Sequence, residues 1–295
     1  MSSHHLAAVA QALFVTFLWS TSWVLIKIGL DDIPALVFAG LRYSLAFVIL
    51  LLYALRRPNM RVELANLTRR EWLWFLLLGI IFYTVTQGAQ FLGLTYLPAV
   101  TLSLMLNFSA VIVALMGILW LAEYPRPLQW LGIGTFLTGV IIYFHPVSIP
   151  AREIVGMMIA LIGTIANAAG GIIGRYVNRQ ARVPVLIITL ISMGTGSVVL
   201  LAAGLVFQGI PSMNATSWLI VLWLALVNTA FAFTLWNHTL RTLSAVESSV
   251  INNTMLVQIA LLAWLFLGEG LTQQEVVGLV TAATGILIVQ LGGRH

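Results

Sequence analysis

The chain has 295 residues, of which 60% are hydrophobic and only 8% charged, with a mean hydropathy of +1.02. So few charges cannot cover a soluble globule of this size, whereas the stretches between charged or Pro-rich breaks run to about the twenty apolar residues an α-helix needs to cross roughly 30 Å of hydrocarbon. The net charge of +5 sits largely on Arg in short loops, which reads as membrane orientation and not nucleic-acid binding, and the absence of cysteine excludes disulfides, thiolate chemistry and Cys-based metal sites.

Ten spans are predicted, and the alternating short segments of a β-barrel do not occur. The first, near 6 to 28, is too long for a signal-peptide core and lacks a basic leader and a cleavage site, so it reads as a retained helix; it carries Trp19, Ser20, Thr21 and Ser22, with Lys27 at its far end. The leading histidines receive no weight. The second span, 34 to 55, follows Asp31 and Asp32 and holds Arg42 about two turns inside it. The third, 72 to 91, offers Tyr83, Thr84, Thr86, Gln87 and Gln90, and the fourth, 97 to 121, offers Ser103 and Asn107. The fifth, 128 to 146, carries Gly132, Thr135 and Gly139; the sixth, 154 to 177, has Thr164 and Asn167; the seventh covers 183 to 207. Asn228, Thr229, Thr234 and Trp236 lie in the eighth, 216 to 238. The ninth, 244 to 267, opens on "AVESSVINNTM" with Glu247, Ser249 and Asn253, and the tenth, 274 to 291, repeats the fifth's small residues as Gly278, Thr281 and Gly285.

With a cytoplasmic N-terminus, that side collects Arg56, Arg57, Arg61, Arg69, Arg70, Arg126, Arg175, Arg179, Arg182, Arg241 and Arg294, against Lys27 and Arg152 on the other. That imbalance predicts both termini in the cytoplasm. Shifting the chain by 146 residues superposes "LPAVTLSLMLNFSAVIVALMGILWLAE" on "LSAVESSVINNTMLVQIALLAWLFLGE" without a gap, pairing Ser103 with Ser249, Asn107 with Asn253 and Glu123 with Glu269. Five spans per repeat turn the second copy over, so the expected fold is an all-α integral membrane protein of ten transmembrane helices in two inverted repeats, 1–147 and 148–295. Such repeats with a site between them suit alternating access.

The stretches "WSTSWVLIK", "LRYSLA" and "GLTYLPAVTLSLMLNFSAVIVALMGILWLAE", with its partner ending "FLGE", resemble the EamA-type branch of the drug/metabolite transporter superfamily over essentially the whole chain. Ser20 departs from the Gly that many relatives carry after the tryptophan of the first helix. The resemblance implies a ten-helix basket in a bacterial inner membrane, its central cavity lined by helices one to four and six to nine, with helices five and ten outside. Polarity along the chain agrees with that arrangement, because the small-residue stripes of the fifth and tenth spans suit helix packing or, in a second reading, a weak homodimer contact beside the monomer.

The candidate substrate-binding residues are Trp19, Ser22, Arg42, Tyr83, Gln87, Asn107, Asn167, Asn228, Trp236 and Asn253, with Lys27 and Glu247 as candidates for gating or coupling. A guanidinium inside a span needs a partner, so Arg42 pairs either with Asp31 or Asp32 as a brace or with a substrate carboxylate or phosphate. Lys27 either snorkels to the interface or serves the outer mouth. Glu247 either pairs with Arg241 or caps its helix, or binds a proton or amine near the inner mouth. Ser103, Asn107, Ser249 and Asn253 read as structural or as ligand contacts, and Glu123 and Glu269 as helix ends. No nucleotide-hydrolysing loop, cofactor or metal motif is present. The expected function is export of a small metabolite such as an amino acid or other carboxylate-bearing compound; the alternative is proton-coupled export of hydrophobic or cationic drugs through Glu247 and the aromatics. An enzyme is disfavoured because the histidines are scattered and no acid, base or metal cluster forms.

Overall fold

The computed structural model describes residues 3–121, 126–145, 150–180, 184–239, 242–243 and 245–292, and among these every regular element is helical. Helices α1 (Ser3–Gly29), α2 (Ala35–Leu55) and the short α3 (Met60–Ala65) come first. Helix α4 (Arg69–Leu78) runs through a π-helical segment, Gly79–Thr86, into α5 (Gln87–Tyr96), then α6 (Ala99–Leu121), α7 (Pro127–Phe144), α8 (Ala151–Gln180) and α9 (Val185–Gln208). Helix α10 (Ala215–Ala225) likewise passes through a π-helical segment, Leu226–Phe231, into α11 (Ala232–Thr239), before α12 (Ala245–Leu267) and α13 (Gln273–Gly292). Among the described residues, 9 helical stretches are long and apolar enough to cross a membrane, and α6 is a further apolar helix of 23 residues. The chain is a multi-pass membrane protein.

Local chemistry explains where these helices start and stop. Thr68 and Glu71 form a capping box at α4, with the Glu71 N–H donating to Thr68 Oγ1 at 3.2 Å and the Thr68 N–H to Glu71 Oε2 at 2.8 Å. Asn214 caps α10 in the same manner, accepting from the Ser217 N–H at 2.8 Å. Pro127 occupies the first turn of α7, where its missing N–H costs nothing. Gly268, with φ of +67°, turns the chain out of α12.

Several boundaries differ from the sequence reading. The third span extends over Arg69–Tyr96 instead of 72 to 91, because the capping box starts it early and apolar contacts carry it beyond Gln87 and Gln90. The first and sixth also run longer, and α3 was not expected. Glu123 lies outside the described residues, as does the Ser249 side chain.

Four helix pairs organise the bundle: α7 with α13, α2 with α9, α1 with α12, and α6 with α8. The small-residue stripes of α7 and α13 face each other inside one chain. A Cβ on Gly139 would lie 2.3 Å from the Ala282 nitrogen, and one on Gly132 would lie 2.6 Å from the Val289 nitrogen, so these glycines let two backbones touch. Thr135 and Thr281 are half-buried, each bonded back to its own helix. The apolar core, including Phe38, Phe91, Trp23, Leu94 and Leu97, fills the space between α1, α2, α5 and α6.

Candidate functional site

The two π-helical segments lie at matching places on the 146-residue offset, in the middle of the third and eighth predicted spans. A π-turn leaves carbonyls without their regular partners and redirects side chains, which is why such turns recur where helices do more than span. In each segment a threonine takes up a freed carbonyl five residues back: Thr86 Oγ1 donates to the Ile81 carbonyl at 3.0 Å and Thr229 Oγ1 to the Leu224 carbonyl at 2.8 Å.

The second π-segment gathers five of the candidate residues: Trp19, Ser22, Arg42, Asn228 and Trp236. Asn228, fully buried, turns its amide nitrogen to α1, donating to the Leu18 carbonyl, to Thr21 Oγ1 at 3.1 Å and to Ser22 Oγ at 2.8 Å. The Leu18 carbonyl can only accept, which fixes the nitrogen on that side, and Asn228 Oδ1 is left buried without a partner among the described residues. Trp19 returns the contact, its indole N–H donating to the Asn228 backbone carbonyl at 3.1 Å while its ring packs on Trp236 at 5.2 Å and Phe233 at 5.1 Å. Trp19, Ser22, Asn228 and Trp236 thus form one cluster where α1 meets the second π-segment.

The next residue, Thr229, faces α2 and accepts from Arg42 Nε at 3.2 Å. Arg42 is 5% exposed, and no carboxylate lies within ion-pair distance of it among the described residues. Its guanidinium carbon is 5.3 Å from the centroid of Tyr43, whose hydroxyl donates to Gln87 Oε1 at 2.6 Å and whose ring meets Tyr83 edge-on at 5.6 Å. Arg42, Tyr83 and Gln87 therefore belong to a second cluster, joined to the first through Asn228 and Thr229. Of the two readings of Arg42, the brace to Asp31 or Asp32 is not formed among the described residues: the Asp32 carboxylate accepts from Asn214 Nδ2 at 2.9 Å and Ser217 Oγ at 3.2 Å, where it supports the cap of α10.

The remaining candidates lie apart from these clusters. Asn107 donates to the Ser103 carbonyl one turn back on its own helix at 2.8 Å, and Asn167 reaches Ser109 Oγ at 3.3 Å across the α6–α8 seam. Asn253 donates to Gln290 Oε1 on α13 at 2.8 Å. Glu247 meets His5 Nε2 at 3.0 Å, so a histidine given no weight in the sequence ties the start of α1 to the start of α12. Lys27 donates its ammonium to the carbonyls of Leu94 and Leu97 at 2.7 and 2.6 Å. Sequence reading missed Tyr43 and the α1–α12 network in which Ser20 Oγ donates to Gln258 Oε1 at 3.0 Å and Gln258 Nε2 to Thr254 Oγ1 at 2.9 Å. Tyr43 had one signal, its place directly after the intramembrane arginine.

The family model for the EamA-like transporter family matches residues 6–144 and again 154–291. The chain belongs to the EamA-like transporter family. Relatives in this family include the uncharacterized transporter YvbV of Bacillus subtilis, 26% identical over 94% of this chain and 89% of the relative. A probable amino-acid metabolite efflux pump of Escherichia coli is 25% identical over 96% of this chain and 94% of that protein, and the uncharacterized inner membrane transporter YedA of the same organism is 26% identical over 99% and 94%. Among solved structures, one crystal structure shares the EamA-like chain's fold with a TM-score of 0.68 at 17% identity, covering 98% of this chain and 99% of its own. The chain is a membrane transporter.

Proposed function

We propose that this chain is a secondary transporter that exports a small carboxylate-bearing metabolite, such as an amino acid, across the inner membrane. It does so with ten spans arranged as two inverted halves, 1–147 and 148–295, and with both termini cytoplasmic. The observation that carries the substrate class is Arg42: a buried guanidinium held through Nε by one hydroxyl, with no carboxylate within ion-pair distance among the described residues. A cation in apolar surroundings is costly until an anion meets it, and a carboxylate matches the planar donor fork of Arg. Asn228 Oδ1 offers an acceptor for a donor group on the same ligand, and Trp19 and Trp236 supply apolar surface beside it. The efflux pump named for amino-acid metabolites supports the same substrate class at 25% identity.

The packing supports the inverted halves. Exchanging the first five predicted spans with the last five maps the α7–α13 and α2–α9 pairs onto themselves and interchanges α1–α12 with α8–α6. No catalytic role is assigned to any residue.

The test is ligand-induced thermal stabilisation of purified protein over amino acids, other carboxylates, nucleosides and organic cations, since a ligand that binds the folded state raises its apparent stability by mass action. Stabilisation by carboxylates that is lost in Arg42→Gln and kept in Glu247→Gln supports the reading. Stabilisation by organic cations that needs Glu247 and ignores Arg42 replaces it with proton-coupled drug export.

A further inference from the structure

Three charged side chains from three separate parts of the chain converge on one short turn, the corner where α5 ends and α6 begins. Lys27 of α1 donates to the carbonyls of Leu94 and Leu97 at 2.7 and 2.6 Å. Arg152, at the start of α8, donates through Nη2 to the Thr95 carbonyl at 3.0 Å. Glu269, just beyond α12, accepts the Ala99 N–H with both carboxylate oxygens, at 3.0 and 2.8 Å. Each charge has the sign its target requires. The last carbonyls of a helix are unpartnered and carry partial negative charge, which suits Lys27 and Arg152; the first N–H groups of the next helix are unpartnered and positive, which suits Glu269.

The corner is also packed shut. Leu94 and Leu97 are fully buried, and α8 approaches so closely that a Cβ on Gly156 would lie 2.7 Å from Leu97 Cγ. On the repeat offsets, the equivalent turn between α11 and α12 has a counterpart of Glu269 in Glu123, but Lys27 maps to Val177 and Arg152 to Ser2. Two of the three charges therefore have no charged counterpart at the matching sequence positions of the other half. Two of the helices that meet at this corner also reach the candidate site. Helix α1 carries Trp19 and Ser22, and α5 carries Gln87, which accepts from Tyr43 beside Arg42.

We propose that Lys27, Arg152 and Glu269 form a one-sided latch on the α5–α6 corner, which must release for that end of the transporter to open and which biases the resting protein toward the state closed there. The proposal rests on the alternating-access reading but not on the substrate class. Each latch residue bonds to backbone and not to a partner side chain, so the turn is held in position whatever residues occupy it. Asp31 is a further charge near Lys27, and it adds to the field without bonding to the corner.

The test uses the natural absence of cysteine in this chain. A single reporter, Leu94→Cys, is introduced at the buried corner, and its rate of reaction with a water-soluble maleimide is measured in purified protein without any ligand. A second reporter, Val9→Cys, sits toward the opposite end of α1, in the cluster with Leu243 and Ile251. In the Lys27→Met and Glu269→Gln backgrounds the Leu94→Cys reporter is expected to react roughly tenfold faster, the effect of losing one hydrogen-bonded charge, while Val9→Cys reacts no faster. Lys27→Arg restores the slow rate. Unchanged reaction at the corner in both backgrounds overturns the proposal, because packing against Gly156 then closes this end by itself. Faster reaction at both reporters also overturns it, because the charges then hold the whole fold together and do not gate one end. No substrate enters the measurement, so a wrong carboxylate assignment leaves its outcome untouched.

Discussion

The two π-helical segments occupy matching places in the chain and share one device, a threonine bonded to the carbonyl five residues before it, yet their surroundings differ in kind. Around Gly79–Thr86 the closest approach is to backbone: a Cβ on Gly196 of α9 would lie 2.3 Å from the Gly79 carbonyl oxygen, and Thr84 Oγ1 donates to the Gly196 carbonyl at 2.9 Å, while Tyr83 meets the Tyr43 ring edge-on. Around Leu226–Phe231 polar side chains make the contacts, with Asn228 reaching Ser22 of α1 and Thr229 receiving Arg42 of α2. One widened turn serves as a packing joint and the other presents polar groups. Repetition of a backbone feature therefore does not carry its chemistry with it; the neighbours on the facing helix decide which use the turn is put to.

Substitutions on the two sides should divide accordingly, stability on the first and ligand recognition on the second. The largest effect is expected from Gly196→Val, which forces α9 away from the first π-segment and should cost about 3 kcal/mol, read as a lowered unfolding midpoint in detergent. A variant that melts like the wild type would mean the joint is looser than the glycine contact implies. Next, Arg42→Gln should weaken carboxylate binding roughly tenfold or more, since a charge-assisted hydrogen-bond pair is lost, while the melting temperature without ligand stays or rises as the buried charge is removed. Titration calorimetry and a melt on the same sample separate the two. Asn228→Ala should cost about 1–3 kcal/mol of stability by removing the buried amide that bonds the Leu18 carbonyl, Thr21 Oγ1 and Ser22 Oγ, and would sharpen the contrast by showing that the second segment also has a structural share. The smallest change is expected from Trp19→Phe, which keeps the aromatic contact with Trp236 and removes the indole hydrogen bond, worth about 1 kcal/mol in the same melt.

The α7–α13 pair shows how much of the fold was readable in advance. The Gly132, Gly139, Gly278 and Gly285 spacing announces a surface where backbones approach, and the structure brings those surfaces together within the chain. What spacing cannot announce is the partner, because a small-residue stripe is the same whether a helix of its own chain or a second copy covers it. Lys27 makes the same point for a charge. Its place at the end of an apolar run suggested the interface, but the carbonyls it meets belong to a corner almost seventy residues later in the chain.

The sequence by itself determined that this protein lies in a membrane, roughly where its helices run and that its two halves share a pattern, because hydrocarbon thickness and backbone hydrogen bonding leave a long apolar segment little choice. It also singled out Arg42, since an arginine inside such a segment is conspicuous without any structure. Only the tertiary structure decided that Arg42 meets Thr229 instead of Asp31 or Asp32, that Asn253 turns to Gln290, and that three charges converge on the α5–α6 corner. Those choices depend on which faces of separately formed helices meet, and many helix packings are compatible with one hydrophobic pattern until the polar groups have found their partners.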